Sequence, residues 1–388
     1  MNYGLYFHIP FCIKKCIYCD FLSFPTFDIS ACDKEQYFTA LMDEWMLRSD
    51  MINGDIDSIY IGGGTPSCID PNKIFELVRT VKSQKNVTED AEITIEVNPG
   101  TVTMEHFEIY KHAGINRISI GMQSTHDRLL RSLGRIHNSS DCKDAILWAQ
   151  NAGFKNINCD LIFAVPQIKD EPGQTLDELM QDLERVLDWG AMHVSIYSMI
   201  VEENTELSRL FKKNKAFEID DNLEREMYHA INKYFFSRKM LQYEISNYAK
   251  KCNKSKHNLK YWEGKPYIGF GLGATSYYPD DIENEKGSYI REKNTEDFKD
   301  YIMGCGKSEY EVLNLNTQMR EFMMMGFRKI HGPSLKDFEE RFGCSYFDMF
   351  AKQLKELKKQ GLIESTKKSV KLTKKGLDYA NEVFREFV

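Results

Sequence analysis

Cys12, Cys16 and Cys19 stand in the segment Cys12-Ile-Lys-Lys-Cys16-Ile-Tyr-Cys19, a CxxxCxxC spacing directly after the first β-rich run. Three thiolates on one short loop can hold three corners of a 4Fe–4S cube and leave the fourth iron without a protein ligand. An open coordination position belongs to a reactive metal centre, whereas a structural site is closed. Zinc is the competing reading, but it takes four ligands and no CxxC partner pair occurs elsewhere. The remaining cysteines, Cys32, Cys68, Cys142, Cys159, Cys252, Cys305 and Cys344, are scattered and read as small buried apolar residues.

A second set of residues could hold a small charged molecule. Gly62-Gly63-Gly64-Thr65-Pro66 is a turn whose glycines let backbone approach a ligand closely. Arg135, in Gly-Arg-Ile-His, can pair with a carboxylate. Glu96, in Glu-Val-Asn-Pro, and Asp160, in Asp-Leu-Ile-Phe, can accept from ribose hydroxyls or an ammonium, and Gln123, in Gly-Met-Gln-Ser, adds a further polar contact. Each of these alone reads equally as a loop or surface group.

The elements that must position them alternate. β-rich runs at Tyr3–His8, Asp57–Ile61, Glu92–Val97, Arg117–Gly121, Asn156–Asp160 and His193–Ser198 are separated by helical periodicity at Lys34–Arg48, Pro71–Val81, Met104–His112, Asp141–Asn151 and Thr175–Trp189. Strand–helix alternation means right-handed crossovers and a parallel sheet. The expectation is an α/β protein: a partial (β/α)6 TIM-like barrel over residues 1–201, with functional loops at the carboxyl ends of the strands. An α+β middle extension follows at 202–306, with one strong helix at Asn222–Lys239 and an irregular stretch rich in Tyr, Gly and Asn. Residues 315–388 read as helices at Thr317–Lys329, Ser334–Phe342 and Phe347–Gln360, a hairpin at Leu362–Leu372 and a last helix at Lys374–Phe387, a winged-helix-like domain. Met323, Met324 and Met325 read as its core.

Together these segments resemble the radical S-adenosylmethionine (SAM) superfamily and, over nearly the whole chain, its oxygen-independent coproporphyrinogen III dehydrogenase branch. The resemblance implies a 4Fe–4S cluster on the cysteines whose open iron chelates the methionine end of SAM, and whose electron breaks the sulfonium C–S bond to give a 5′-deoxyadenosyl radical. It also assigns Tyr6, Tyr18, Gly63, Gly64, Thr65, Glu96, Gln123, Arg135 and Asp160 to SAM contacts. No catalytic side chain follows from it.

Within that branch the true dehydrogenase has a longer segment before its cluster and a fourth cysteine two residues beyond the third. Here Cys12 lies near the start, and Asp20 and Phe21 follow Cys19. The segment His257-Asn258-Leu259-Lys260-Tyr261-Trp262 fits HNxxYW. With the CxxxCxYCDF cluster loop it is similar to the heme chaperone family called HemW, which implies heme binding and transfer to acceptor hemoproteins. His257 is then the expected iron ligand, with Cys252 as an alternative, and Tyr261 and Trp262 would cover a porphyrin face. Read without the resemblance, His257 is a structural residue and the aromatics are core. The stretch from Gly269 to Ser276 carries Thr275 where the family has a histidine. Oxidative decarboxylation of coproporphyrinogen III, or another radical SAM reaction on a tetrapyrrole, is the alternative activity.

Composition bounds the rest. A chain of 388 residues with a net charge of −7 gives no case for nucleic-acid binding. From Ser345 onward ten Lys/Arg are interspersed with six Asp/Glu, too small an excess to alter that. No apolar run is long enough for a membrane span, though an acceptor could itself be membrane-associated. MNYGLYFHIPFC lacks the pattern of a signal peptide, so a cytoplasmic protein is expected. The partners expected are heme, acceptor hemoproteins and an electron donor such as flavodoxin or ferredoxin.

Overall fold

The structure, a computed structural model, describes residues 1–280, 287–304, 306, 308–366 and 369–388. Cys305 lies outside the described residues.

Six strands lie side by side, parallel and in chain order: β1 Asn2–Ile9, β2 Asp55–Gly63, β3 Val87–Val97, β4 Arg117–Gln123, β5 Asn156–Phe163 and β6 His193–Ser198. Helices α1 Ala31–Arg48, α2 Pro71–Gln84, α3 Met104–Ala113, α4 Ser139–Asn151 and α5 Leu176–Asp188 make the crossovers. This is the α/β partial barrel that the alternation of elements predicts. Helix starts are set locally: Asn138 with Asp141 and Thr175 with Glu178 form capping boxes, and Pro71 opens α2 behind the Asp70 cap.

The strands alternate in chemistry as well as direction. Ile118, Ile120 and Met122 of β4 are fully buried in the core beneath the helices. Arg117, Ser119, Gly121 and Gln123 of the same strand line the lumen. The same period of two puts Ile93, Ile95 and Val97 of β3, and Ile157, Cys159 and Leu161 of β5, into that core. Each fully buried aliphatic side chain contributes roughly 1.5–3 kcal/mol. The polar inward residues form the floor and walls of a cavity.

The middle region departs from expectation. Its Tyr-, Gly- and Asn-rich stretch contributes five short strands to the main sheet, which has 12 strands among the described residues. Beyond β6, Asn247–Ala249 and then Leu241–Gln242 add antiparallel strands. Beyond β1, Tyr267–Phe270 adds a seventh parallel strand, followed by antiparallel Thr275–Pro279, Tyr289–Lys293 and Glu309–Leu313. The extension therefore clasps both edges of the barrel sheet, which the middle region protects from edge pairing. The sheet continues past residue 306 to Leu313.

The C-terminal module has its own core, including Phe322, Met323, Phe327, Phe338, Leu357, Val370 and Phe387. Its helices are Leu315–Gly326, Leu335–Phe342, Tyr346–Met349, Ala351–Lys359, Lys374–Asp378 and Ala380–Arg385, and its hairpin pairs Ile363–Ser365 with Val370–Leu372. Two expected long helices are each broken, at Phe350 and at Tyr379, where ψ turns positive. Met323 is fully buried, and Met324 packs at the edge of this core. Arg341 ties the module to the sheet, donating to the Gly264 carbonyl, the Tyr277 hydroxyl and the Gln318 side chain.

Cys142 and Cys159 are buried as expected, and Cys68 and Cys344 are half-buried. Cys32 and Cys252 are exposed, contrary to the sequence reading. Cys32 lies in the first turn of α1, and Cys252 sits in a tight turn at φ 73. Among the described residues no helix is long and apolar enough to cross a membrane.

Candidate functional site

The cysteine loop leaves β1 at the carboxyl end of the barrel. Backbone bonds hold it on several sides. Thr65 N–H donates to the Phe11 carbonyl at 2.7 Å, Ile17 N–H to Leu133 at 3.2 Å, and Leu207 N–H to Ile17 at 2.8 Å. Residues Phe11–Cys12 also pair with Phe24–Pro25 in a short parallel ladder. All three thiols face one cavity of about 330 Å³. Among the described residues no three His, Cys, Asp or Glu side chains converge on a single ion. Burial raises Cys12, against the opposing hydrogen bond that Thr65 Oγ1 donates to its Sγ at 3.4 Å, and burial pushes Cys19 up to about 11. Iron, which binds thiolate in place of the proton, relieves that cost.

The glycine turn closes over the loop. Gly63 sits at φ +111, and a Cβ there would meet the His8 ring at 2.5 Å. A Cβ on Gly64 would meet the Phe11 carbonyl oxygen at 2.7 Å. Only glycine fits both positions. Gln123 ends β4 at φ 71, where the β4–β5 register slips between Gly121 and Gln123. Such a bulge re-aims a side chain, and the strained backbone marks a site.

The charged groups inside are buried. Glu96 accepts from Tyr60 Oη at 2.6 Å and from Gly63 N–H at 3.2 Å. Burial first, and the nearby Asp160 carboxylate second, push it up to about 7, against the Tyr60 hydrogen bond. Asp160 is raised by burial too, although Ser119 and Asn158 donate to it at 3.3 and 2.8 Å. Arg135 donates to the Gly121 carbonyl and, at 3.3 Å, to Cys16 Sγ, while its buried Nε has no partner. A cation with an orphaned donor sharing one cavity with two acids whose carboxyls burial raises suits a zwitterion.

Cys12, Cys16, Cys19, Tyr18, Gly63, Gly64, Thr65, Glu96, Gln123, Arg135 and Asp160 all line this cavity. Tyr6 and His257 do not. The Tyr6 hydroxyl is bonded to His8 Nδ1 at 3.0 Å, and its ring stacks behind Tyr60. His257 is 1% exposed, and both of its nitrogens are engaged, Nδ1 with Ser58 Oγ at 3.0 Å and Nε2 with Tyr261 Oη at 2.8 Å. Burial pushes it down to about 3. Both ring nitrogens are thus turned to protein partners. The motif instead contributes Asn258 to the cavity. Cys252, the alternative ligand, is exposed and lies outside this cavity.

Sequence reading missed Tyr60, Arg117, Ser119, Asn158, Ser195 and Tyr197, all cavity-lining. Polar residues at every second position, as in Arg117, Ser119, Gly121 and Gln123, carry the signal of a wet lumen opposite an apolar face.

The radical SAM superfamily model matches residues 6–179, and the HemN C-terminal domain model matches residues 313–379. The heme chaperone HemW of Bacillus subtilis is 35% identical, over 99% of this chain and 98% of that protein. The HemW of Lactococcus lactis is 31% identical over 99% and 96%, and that of Escherichia coli 31% over 99% and 98%. The chain belongs to the HemW family of the radical SAM superfamily. Solved coproporphyrinogen III oxidase (HemN) from Escherichia coli superposes with a TM-score of 0.79, covering 100% of this chain and 90% of that one. At 19% identity the two share a fold. As a radical SAM protein the chain calls for a 4Fe–4S cluster and SAM. The three cysteines on one cavity, the orphaned Arg135 Nε and the raised Glu96 suit them.

Proposed function

We propose that this protein binds heme and passes it to acceptor hemoproteins, and that it holds a 4Fe–4S cluster and SAM in the barrel cavity. Cys12, Cys16 and Cys19 hold the cluster. When bound, cluster and SAM together supply one-electron cleavage of the sulfonium. Arg135 pairs with the SAM carboxylate, and Glu96, once ionised, with its ammonium. Asp160 and Gln123 take the ribose hydroxyls, Tyr18 covers the cavity mouth, and Gly63, Gly64 and Thr65 let the backbone come close. Tyr6 acts from behind, holding Tyr60 and His8. A donor of the flavodoxin or ferredoxin type supplies the electron, and the protein works in the cytoplasm.

The observation that carries the reading is the match to HemW proteins over both full lengths, with every cluster and SAM residue except Tyr6 on one cavity wall. The dehydrogenase alternative loses support at Asp20 and Phe21, which occupy the cavity lip where the fourth cysteine of that enzyme would stand. Anaerobic reconstitution followed by iron, sulfide and heme quantification tests the reading. Uptake of one cluster and of heme, and transfer of that heme to an apo-hemoprotein, is expected. Protoporphyrinogen formation from coproporphyrinogen III, or no heme uptake, refutes it.

A further inference from the structure

A line of buried hydrogen bonds joins Asp160, in the barrel cavity, to the start of the HNxxYW helix Lys256–Trp262. The chemistry of its two ends fixes the direction of every link. The Ser255 backbone N–H can only donate, and it donates to Tyr243 Oη at 3.2 Å. The Tyr243 hydroxyl therefore turns its own proton to His193 Nε2, at 2.8 Å. Burial first, and the Arg117 charge second, hold the His193 imidazole well below its ordinary value of 6.5, so the ring carries one proton. With Nε2 accepting, that proton sits on Nδ1 and is donated to Asn158 Oδ1 at 2.6 Å. Asn158 Oδ1 also accepts from the Ser195 N–H at 3.1 Å, so the amide cannot flip. Its NH2 is thereby held toward Asp160 Oδ1 at 2.8 Å and Ser119 Oγ at 2.7 Å.

Asn158, His193, Tyr243 and Ser255 are at most 3% exposed, so no solvent replaces a broken link. A buried polar network with every member satisfied holds one arrangement, and its bonds polarise one another. The far end of this one sets the helix. Ser255 Oγ accepts from the Asn258 N–H at 3.3 Å as the helix cap, and donates to Glu92 Oε1 at 3.3 Å. The same Glu92 oxygen accepts from the His257 N–H at 3.1 Å. Asn258 in turn lines the cavity that Asp160 lines. The chain thus leaves the cavity at one wall and returns to it at another, through β5, β6 and the residue that starts the helix.

We propose that Asn158, His193 and Tyr243 are positioning residues of the SAM site, and that through them SAM binding at Asp160 is coupled to the HNxxYW helix; this rests on SAM occupying the barrel cavity, as proposed above. A ribose that donates to Asp160 fixes the carboxylate, and with it the Asn158 amide, the His193 ring, the Tyr243 hydroxyl and the cap residue. Seven residues do not hold a helix unaided, so the first turn depends on that cap. The coupling is reciprocal: whatever engages the helix changes SAM affinity by the same factor.

The test is amide hydrogen–deuterium exchange of the full-length, cluster-loaded protein with and without saturating SAM, beside SAM affinity from equilibrium dialysis. In the wild type SAM should slow exchange over Lys256–Trp262 at least about fivefold. Tyr243→Phe removes one hydroxyl and breaks the chain in its middle. It should bind SAM about tenfold more weakly and, once saturated, show no slowing over the helix. His193→Phe breaks the next link and should behave alike. Tyr248→Phe is the control, deleting a buried hydroxyl that donates to Asn232 Oδ1 at 2.8 Å on the strand Asn247–Ala249. It should keep wild-type SAM affinity and helix response even where its melting temperature falls. A folded Tyr243→Phe protein whose helix responds to SAM as the wild type does overturns the coupling, and so does a Tyr248→Phe protein that loses the response equally. A wild type that binds SAM with no change over the helix also overturns it, and leaves the SAM site standing. A wild type that binds no SAM overturns the SAM site itself, and the coupling with it.

Discussion

Glu96→Gln should stabilise the empty protein at alkaline pH while weakening SAM binding. In the folded chain the Glu96 carboxyl is held at about 7, against an ordinary value of 4.5, chiefly by burial. Below pH 4.5 the group is neutral in both the folded and unfolded chain, and its ionisation does not separate wild type from variant. Between 4.5 and 7 the unfolded chain ionises first, so wild-type stability falls by about 1.4 kcal/mol per pH unit relative to the variant. Above 7 the gap levels at roughly 3 kcal/mol. The glutamine amide oxygen still accepts from Tyr60, but its NH2 must face the Gly63 N–H, which returns about 1 kcal/mol. A net gain near 2 kcal/mol at pH 8, turning into a loss of about 1 kcal/mol below pH 4.5, is the expected result in urea denaturation of the cluster-free chain. SAM affinity in the loaded wild type should rise as pH climbs toward 7, because pairing with the ammonium requires the ionised carboxylate. In the variant it should be weak and flat across the same range. A stability gap independent of pH refutes the assignment of a raised carboxyl to Glu96.

Cys16→Ala should abolish cluster uptake, read as iron and sulfide per chain, because two thiols cannot secure a cube. Gly63→Ala forces a side chain into φ +111 and against the His8 ring, and should cost about 2–4 kcal/mol with loss of SAM binding by equilibrium dialysis. Gly4→Ala would put a Cβ at 2.8 Å from Lys260 Cδ and 3.3 Å from the His257 ring, so it should lower the melting temperature while leaving the ligand field of any bound heme unchanged. Arg341→Ala removes donors to Gly264, Tyr277 and Gln318 and a cation resting 4.2 Å over the Tyr289 ring, and should loosen the C-terminal module by about 2–3 kcal/mol, seen as early proteolysis after residue 313.

The six barrel strands were legible because their β-rich runs alternate with five helical segments, a pattern confined to neighbouring residues. The cluster loop was legible for the same reason: its three cysteines share eight consecutive positions. Tyr267–Phe270 was not, because what makes it a strand is β1, its partner from the far end of the chain, and only four residues show. The splits at Phe350 and Tyr379 escaped notice because the apolar spacing of the module core runs through both breaks. The surroundings of His257 were not legible either, because its Nδ1 partner, Ser58, lies 199 positions away. Such tertiary contacts lie beyond the reach of a local motif.

Those contacts give His257, Tyr261 and Trp262 of HNxxYW a partner each within the fold. The helix Lys256–Trp262 is too short to persist alone, so its neighbours must hold it. His257 binds Ser58 of β2 and stacks on Tyr60 at 5.2 Å, the same Tyr60 that donates to Glu96. Tyr261 meets the Tyr267 ring edge-on at 4.6 Å, fixing the added parallel strand. Trp262 lies under the Arg328 guanidinium at 4.4 Å, reaching the C-terminal module. Each of these motif residues thus grips a different element, and removing any one loosens the helix that brings Asn258 to the barrel cavity. Loss of heme affinity in a motif variant therefore does not identify a ligand. The distinguishing quantity is the ligand field of whatever heme remains bound, which changes when the axial donor is lost and stays constant when only its scaffold is weakened.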